Sequence, residues 1–257
     1  MNWEKKKIAV VTKAYPEYST RHGSVACTAG ITKDGEWIRL YPIDMRYFVG
    51  YDKISKFDII EAECKKDRDK LSRKESYKVR PDSIRIVDKS LTKPKADWVK
   101  RNKILLPHKI TSLDVLQEQY SKDKTSLGLL NPKKVIDLIK TQDLEIFEEE
   151  SWSFTVNLDG VKIPNVHKIP HIFKYKFICD CCGKSEHIMQ CEDWEIFESY
   201  RRWGPKYNDP ELLWEKIQER FFTWMTKDRD LNFIMGMHSQ YPTWFIIGLY
   251  YPPKEDK

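Results

Sequence analysis

The triplet Lys33-Asp34-Gly35 stands between two runs, SVACTAGIT (24–32) and EWIRLYPI (36–43), that are rich in β-branched and aromatic residues. An Asp-Gly pair in that setting commits the chain to a hairpin, because glycine takes the positive φ that a tight turn between antiparallel strands requires. The neighbouring runs obey the same period. KIAVVTK (7–13) reads as a strand. FDIIEAECK (57–65) alternates, with Phe57, Ile59, Glu61, Glu63 and Lys65 on one face and Asp58, Ile60, Ala62 and Cys64 on the other. Short strands joined by tight turns exclude a helical bundle for this half of the chain.

The expected fold class is therefore α+β, with an N-terminal strand-rich, barrel-like half, OB-like or PUA-like, and a C-terminal mixed α/β half with a Cys/His zinc site. Residues 1–110 form the strand-rich basic domain, with RPDSIRIVD (80–88) as a further strand and KADWVKRNKILLP (95–107) as a short helix. Residues 111–150 read as a helical connection. Thr111 or Ser112 caps SLDVLQEQY, and Asn131-Pro132 opens NPKKVIDLIK in the cap-then-proline order of a helix start. Residues 151–257 form the zinc-site-containing domain, entered by a second hairpin around Asp159-Gly160. There FKYKFI (173–178) is a strand, EDWEIFESYRRW (192–203) and DPELLWEKIQERFFTWM (209–225) are helices, and TWFIIGLYY (243–251) is apolar enough to be a central strand.

Four of the six cysteines lie within thirteen residues, CDCCGKSEHIMQC, together with His187. Read as Cys179-x2-Cys182-x4-His187-x3-Cys191, the segment offers three thiolates and an imidazole, a ligand set that closes a tetrahedron around Zn²⁺. It resembles the zinc knuckle, C-x2-C-x4-H-x4-C, with Gly183, Lys184 and Ile188 at the knuckle's Gly-Lys and apolar places and a last spacer one residue shorter. The resemblance covers these thirteen residues and implies a structural Zn²⁺ held by Cys179, Cys182, His187 and Cys191. Cys181 is a spare sulfur.

The chain carries a formal net charge of +6, and its distribution is uneven. From Lys65 to Lys109 there are 16 Lys/Arg against 6 Asp/Glu, a local +10. Such a block is a phosphate-binding footprint or a solvated connection. Lys100, Arg101 and Lys103 represent it on the expected helix. Trp37, Arg39 and Tyr41 share one face of a hairpin strand, the aromatic–arginine–aromatic pattern on which single-stranded bases stack. These features together point to a nucleic-acid-binding protein, for DNA or RNA.

An enzyme acting on nucleic acid is the alternative. Glu61, Glu63 and Lys65 resemble the E-x-K half of PD-(D/E)xK nucleases, which implies Mg²⁺. His187, Asp193 and Glu195 form a second candidate set for base processing, although Asp193 also stands where a helix N-cap belongs. The chain has no G-x-S-x-G elbow, Walker A loop or G-x-G-x-x-G fingerprint. No apolar run approaches the length that crosses a membrane, and the apolar stretch Ile8–Val11 is too short for a signal-peptide core. Cytoplasmic residence is expected, with cysteines kept as thiols or metal ligands.

Overall fold

The computed structural model describes residues 2–19, 23–48, 53–67, 73–93, 98–143, 154–156, 160, 162–164, 169–180, 186–238 and 242–254. The chain divides into two units, residues 1–105 with 147–168 and residues 106–146 with 169–257.

Unit 1 opens with β1 (Glu4–Lys13), β2 (Glu17–Ser19), β3 (Gly23–Thr32), β4 (Trp37–Asp44), β5 (Ile59–Lys66), β6 (Ser76–Val79) and β7 (Arg85–Asp88), followed by helix α1 (Trp98–Leu105). The expected hairpin joins β3 to β4, with Gly35 at φ +81 in its turn. Strands run in the order β1-β3-β4-β6-β5, and β5 also pairs with β1, so the sheet closes into a five-stranded barrel. Closure leaves none of these five strands as an open edge, which removes the liability of unpaired backbone. Ile8, Val10, Ile38, Leu40, Ile60 and Ala62 are buried. Each large aliphatic side chain among them contributes roughly 1.5–3 kcal/mol by leaving water. Gly30 is required by close approach: a Cβ there would lie 2.4 Å from Ile8 Cγ2 and 2.7 Å from the Ala9 carbonyl oxygen.

From unit 1 the chain passes into unit 2 through β8 (Lys109–Ile110), helix α2 (Leu113–Asp123), β9 (Leu127–Leu130) and β10 (Lys134–Gln142). Ser112 caps α2 as expected, its hydroxyl accepting from the Asp114 N–H at 3.1 Å. The helix expected over 131–140 is instead strand β10. Val135, Ile136, Ile139 and Thr141 are β-branched, and eight residues of β10 find register partners on β13, so long-range pairing overrides the local helix-start signal. Asn131 caps nothing there; its amide donates to Asp230 at 3.1 Å.

The hairpin around Gly160, β11 (Phe154–Val156) with β12 (Lys162–Pro164), forms as an antiparallel pair. It does not begin the second half of the molecule. It belongs to unit 1, where both strands lie against β3.

Unit 2 resumes with β13 (His171–Ile178), β14 (His187–Cys191), helix α3 (Trp194–Trp203), helix α4 (Pro210–Gln218), a π-helical turn (Glu219–Trp224), a short helix α5 (Met225–Lys227), β15 (Asn232–Met237) and β16 (Trp244–Tyr250). Its sheet order is β10-β13-β14-β16-β15-β9-β8, so the apolar run 244–250 is the middle strand, as its composition requires. Aromatic side chains join the sheet to the helices. Phe173 meets Phe197 edge-on at 4.9 Å and stacks on Trp214 at 6.0 Å. The buried hydroxyl of Tyr175 donates to the Phe221 carbonyl at 2.7 Å, which satisfies a backbone acceptor inside the π-helical turn. No helix among the described residues is long and apolar enough to cross a membrane.

Candidate functional site

One end of the barrel changes character from apolar to cationic. Along β1 the inward row runs Val10, Ile8, Lys6, and along β5 it runs Ile60, Ala62, Cys64, Lys66. Register places Lys6 opposite Ala62 and Lys66 opposite Tyr77 of β6. Three strands thus bring two lysines and a tyrosine to the barrel mouth. Both ammonium groups lie over the Tyr77 ring, Lys66 at 4.6 Å and Lys6 at 5.2 Å from its centroid. Lys66 also donates to the Lys74 carbonyl, and Lys6 pairs with Glu4 at 3.4 Å.

Burial is the largest influence on Lys66 and lowers its pKa; Glu75 and Glu36 oppose that shift, and the charges of Lys6 and Lys74 add to it. On the outer wall Lys65 stands opposite Lys78, a like-charged cross-strand pair. Nearby, the Arg80 guanidinium lies 4.4 Å over Trp3 and pairs with Glu63 at 2.5 Å. Burial pushes the Cys64 thiol below the mouth up to about 12, which keeps it protonated at neutral pH.

Unit 1 holds 27 Lys/Arg against 19 Asp/Glu, a net +8, whereas unit 2 holds 18 against 20, a net −2. The positive charge of the chain therefore belongs to the barrel unit.

Sequence reasoning missed this mouth. Lys6 sat within a run of charges before an apolar strand. The available signal was parity, since Lys6 shares the row of Ile8 and Lys66 the row of Cys64.

The face Trp37–Arg39–Tyr41 does not stand open as a platform. Tyr41 is 42% exposed, but Arg39 is only 3% exposed, and its guanidinium donates to Cys27 Sγ at 3.2 Å. A buried arginine engaged in this way is part of the wall of the barrel. On α1, Lys100 and Lys103 are exposed. Arg101 is not available in the same way. Its Nε donates to the Leu91 carbonyl at 2.8 Å, and its guanidinium lies 4.7 Å over Trp98 and 4.9 Å over Phe57, so it fastens α1 to the preceding turn.

Glu61, Glu63 and Lys65 share the outward face of β5, as their alternation requires. Each carboxylate is already held by its own cation, Glu61 by Lys5 at 2.7 Å and Glu63 by Arg80. The hydrogen bond and charge of Lys5 hold the Glu61 carboxyl below its usual range. Asp193 is buried at the start of α3, where its carboxylate accepts from the backbone N–H groups of Glu195 at 2.7 Å and Leu249 at 2.8 Å. It is a helix cap tied to the central strand. Glu195 accepts from the Tyr251 hydroxyl at 3.4 Å. His187 lies at the other end of β14 from these two, so the set His187, Asp193 and Glu195 is not assembled.

Cys179 and His187 do meet. Cys179 follows β13, His187 opens β14, and Sγ lies 3.2 Å from Nε2. The imidazole packs on Phe177 at 5.3 Å, and the ends of this hairpin are fixed by Lys176 with Glu186 at 2.7 Å and by the Asp180 N–H on the Thr111 carbonyl at 2.9 Å. Two ligands of one tetrahedral Zn²⁺ stand about 3.5 Å apart given the ordinary Zn–S and Zn–N lengths, so this pair fits such an ion once Cys179 is a thiolate. Cys179 is disulfide-bonded in this structure. Cys181 and Cys182 lie outside the described residues. Cys191 stands four residues along β14 from His187, opposite Phe173, and a rise of about 3.3 Å per residue puts it roughly 13 Å away. It is a buried thiol of the sheet core, beyond the reach of an ion held by Cys179 and His187. Among the described residues no group of three or more His, Cys, Asp or Glu converges on one cation position.

No curated protein matches the chain. Residues 4–107 match a domain of unknown function, DUF8758, and residues 108–257 match a second, DUF8757. The boundary between them falls two residues beyond Leu105, where the first stretch of unit 1 ends, while residues 147–168 lie in the second match and fold into unit 1. Because that second match spans more than half of its length, the chain belongs to the DUF8757 family of domains of unknown function.

Proposed function

We propose that this protein binds nucleic acid, DNA or RNA, through the cationic end of its barrel, with a structural Zn²⁺ in unit 2. The observation that carries this reading is the convergence of Lys6 and Lys66 on the Tyr77 ring, in the unit that bears the net +8. Two ammonium groups sharing one ring repel each other, and a phosphate oxygen between them relieves that repulsion while releasing condensed counterions. Trp3 and Tyr77 supply π-faces beside the cations, so a flexible single strand is the better fit. Cys179, Cys182 and His187 would hold the Zn²⁺, which supplies folding free energy to the end of the β13–β14 hairpin.

The test is binding of full-length protein to labelled single-stranded DNA and RNA across a salt series. Each phosphate contact contributes about −0.7 to the slope of log K against log salt on single strands, so Lys6→Gln with Lys66→Gln should reduce the slope magnitude by roughly 1.4. Unchanged affinity and slope in that double variant would overturn the assignment. Cleavage of the labelled strand with Mg²⁺, lost in Glu63→Gln, would replace it with the nuclease reading.

A further inference from the structure

A second set of cations is built around Trp224, at the end of the π-helical turn in unit 2. The Arg220 guanidinium lies 3.9 Å from the Trp224 ring centroid and 5.5 Å from that of Tyr251. Arg229, from the turn before β15, lies 4.6 Å from the same Trp224 ring. Tyr251 meets Trp224 edge-on at 5.8 Å, and its hydroxyl donates to Glu195. One indole therefore carries two guanidinium groups.

The Arg220 guanidinium makes no hydrogen bond or ion pair among the described residues; its ring contacts are what hold it. A guanidinium held over two aromatic rings has already lost part of its side-chain freedom, so less is lost when an oxyanion arrives. The π-helical turn takes part in this placement. It puts Arg220 and Trp224 four residues apart on one side of the helix, and its backbone is fixed from below by the buried Tyr175 hydroxyl on the Phe221 carbonyl. Helical turns of this kind recur at functional sites.

We propose that Arg220 and Arg229, both held against Trp224, form an oxyanion site in unit 2 that takes a phosphate of the nucleic-acid backbone. This rests on the nucleic-acid reading and adds to it a contact in the unit whose net charge is −2, where bulk electrostatics does not draw a polyanion and a specific pair of guanidinium groups must.

The experiment measures binding of a labelled single-stranded oligonucleotide to full-length wild type, Arg220→Gln, Arg220→Lys and Lys66→Gln over a salt series, with calorimetric titration of inorganic pyrophosphate in parallel. Loss of one phosphate contact in Arg220→Gln should weaken binding about 3–10-fold at low salt and lower the slope magnitude by about 0.7 to 1. Arg220→Lys keeps the charge and loses the planar fork of donors, so its slope should stay near wild type while its affinity falls. Both substitutions remove the planar guanidinium fork and only Arg220→Gln removes the charge. A slope lost in Arg220→Gln and kept in Arg220→Lys therefore reads the phosphate contact, and thermal melts of both variants separate it from a fold defect. An unchanged slope in Arg220→Gln, with Lys66→Gln weakened, overturns this site and leaves the barrel reading intact. Pyrophosphate binding lost in Arg220→Gln without any change on the oligonucleotide assigns the site to a free anion and overturns the backbone contact. Wild type that binds no oligonucleotide at any salt overturns both.

Discussion

The carboxylate of Asp193 accepts the backbone N–H of Leu249 at 2.8 Å, fifty-six residues away, while it caps α3 through the Glu195 N–H. One buried side chain thus ends a helix and fills an amide vacancy on the middle strand of the sheet.

The first prediction follows from that pair. Asp193→Ala removes a helix cap and leaves the Leu249 N–H buried without an acceptor, so it should destabilise unit 2 by about 2–4 kcal/mol. Glu195→Gln, which retains a side chain able to accept from Tyr251, should stay within about 0.5 kcal/mol. Urea denaturation of both variants checks this. A stable Asp193→Ala protein would return Asp193 to the candidates for chemistry.

Cys179 and His187 give the second. With a thiol reductant present, purified protein should take up about one Zn²⁺ per chain, and without reductant it should take up little, because the disulfide sulfur of Cys179 is not a thiolate ligand. Cys179→Ser and His187→Ala should lose the metal and melt at lower temperature. Cys191→Ser should keep it, in accord with its place four residues along β14. Elemental analysis of the four proteins reads the outcome, and equal metal content in Cys179→Ser would defeat the assignment.

The third concerns pH. His171 packs edge-on against Tyr200 at 5.2 Å, and burial, with the nearby charge of Lys140, lowers its pKa below the usual value near 6.5. Burial lowers His108 in the same direction. Each imidazole is then neutral when folded and takes a proton on unfolding. The unfolded state binds more protons below 6.5, so stability is complete above that pH and falls as pH drops through the folded value. Stability of wild type should decline as pH drops below about 6.5, and His108→Gln with His171→Gln should flatten the His-dependent part of that decline. Equal slopes in both proteins would remove these histidines from the account.

What the sequence made legible was local. Gly35 announces its hairpin, Ser112 and Asp193 announce their helices, and the apolar run 244–250 announces a middle strand, because each depends on residues a few positions apart. Strand β10 was hidden because Asn131-Pro132 carries a helix-start signal, and only its partner β13, some thirty residues on, decides otherwise. Arg39 was hidden for a related reason. Period two puts it on an outward face, but no local pattern tells that Cys27 of the neighbouring strand will meet it. The barrel mouth required both kinds of knowledge, the parity of β1 and β5 and the pairing that brings Tyr77 opposite Lys66.

The hairpin β11–β12 sets an order on biosynthesis. Strands β1–β7 are all translated by residue 88, yet β3 gains its β11–β12 neighbours only after Pro164 has left the ribosome. In between, the chain must produce β8, α2, β9 and β10 of unit 2, whose sheet partners lie still further on. Each unit therefore waits on sequence beyond the other's, and a fragment cut at the 107/108 boundary would lack twenty-two residues that belong to its own unit.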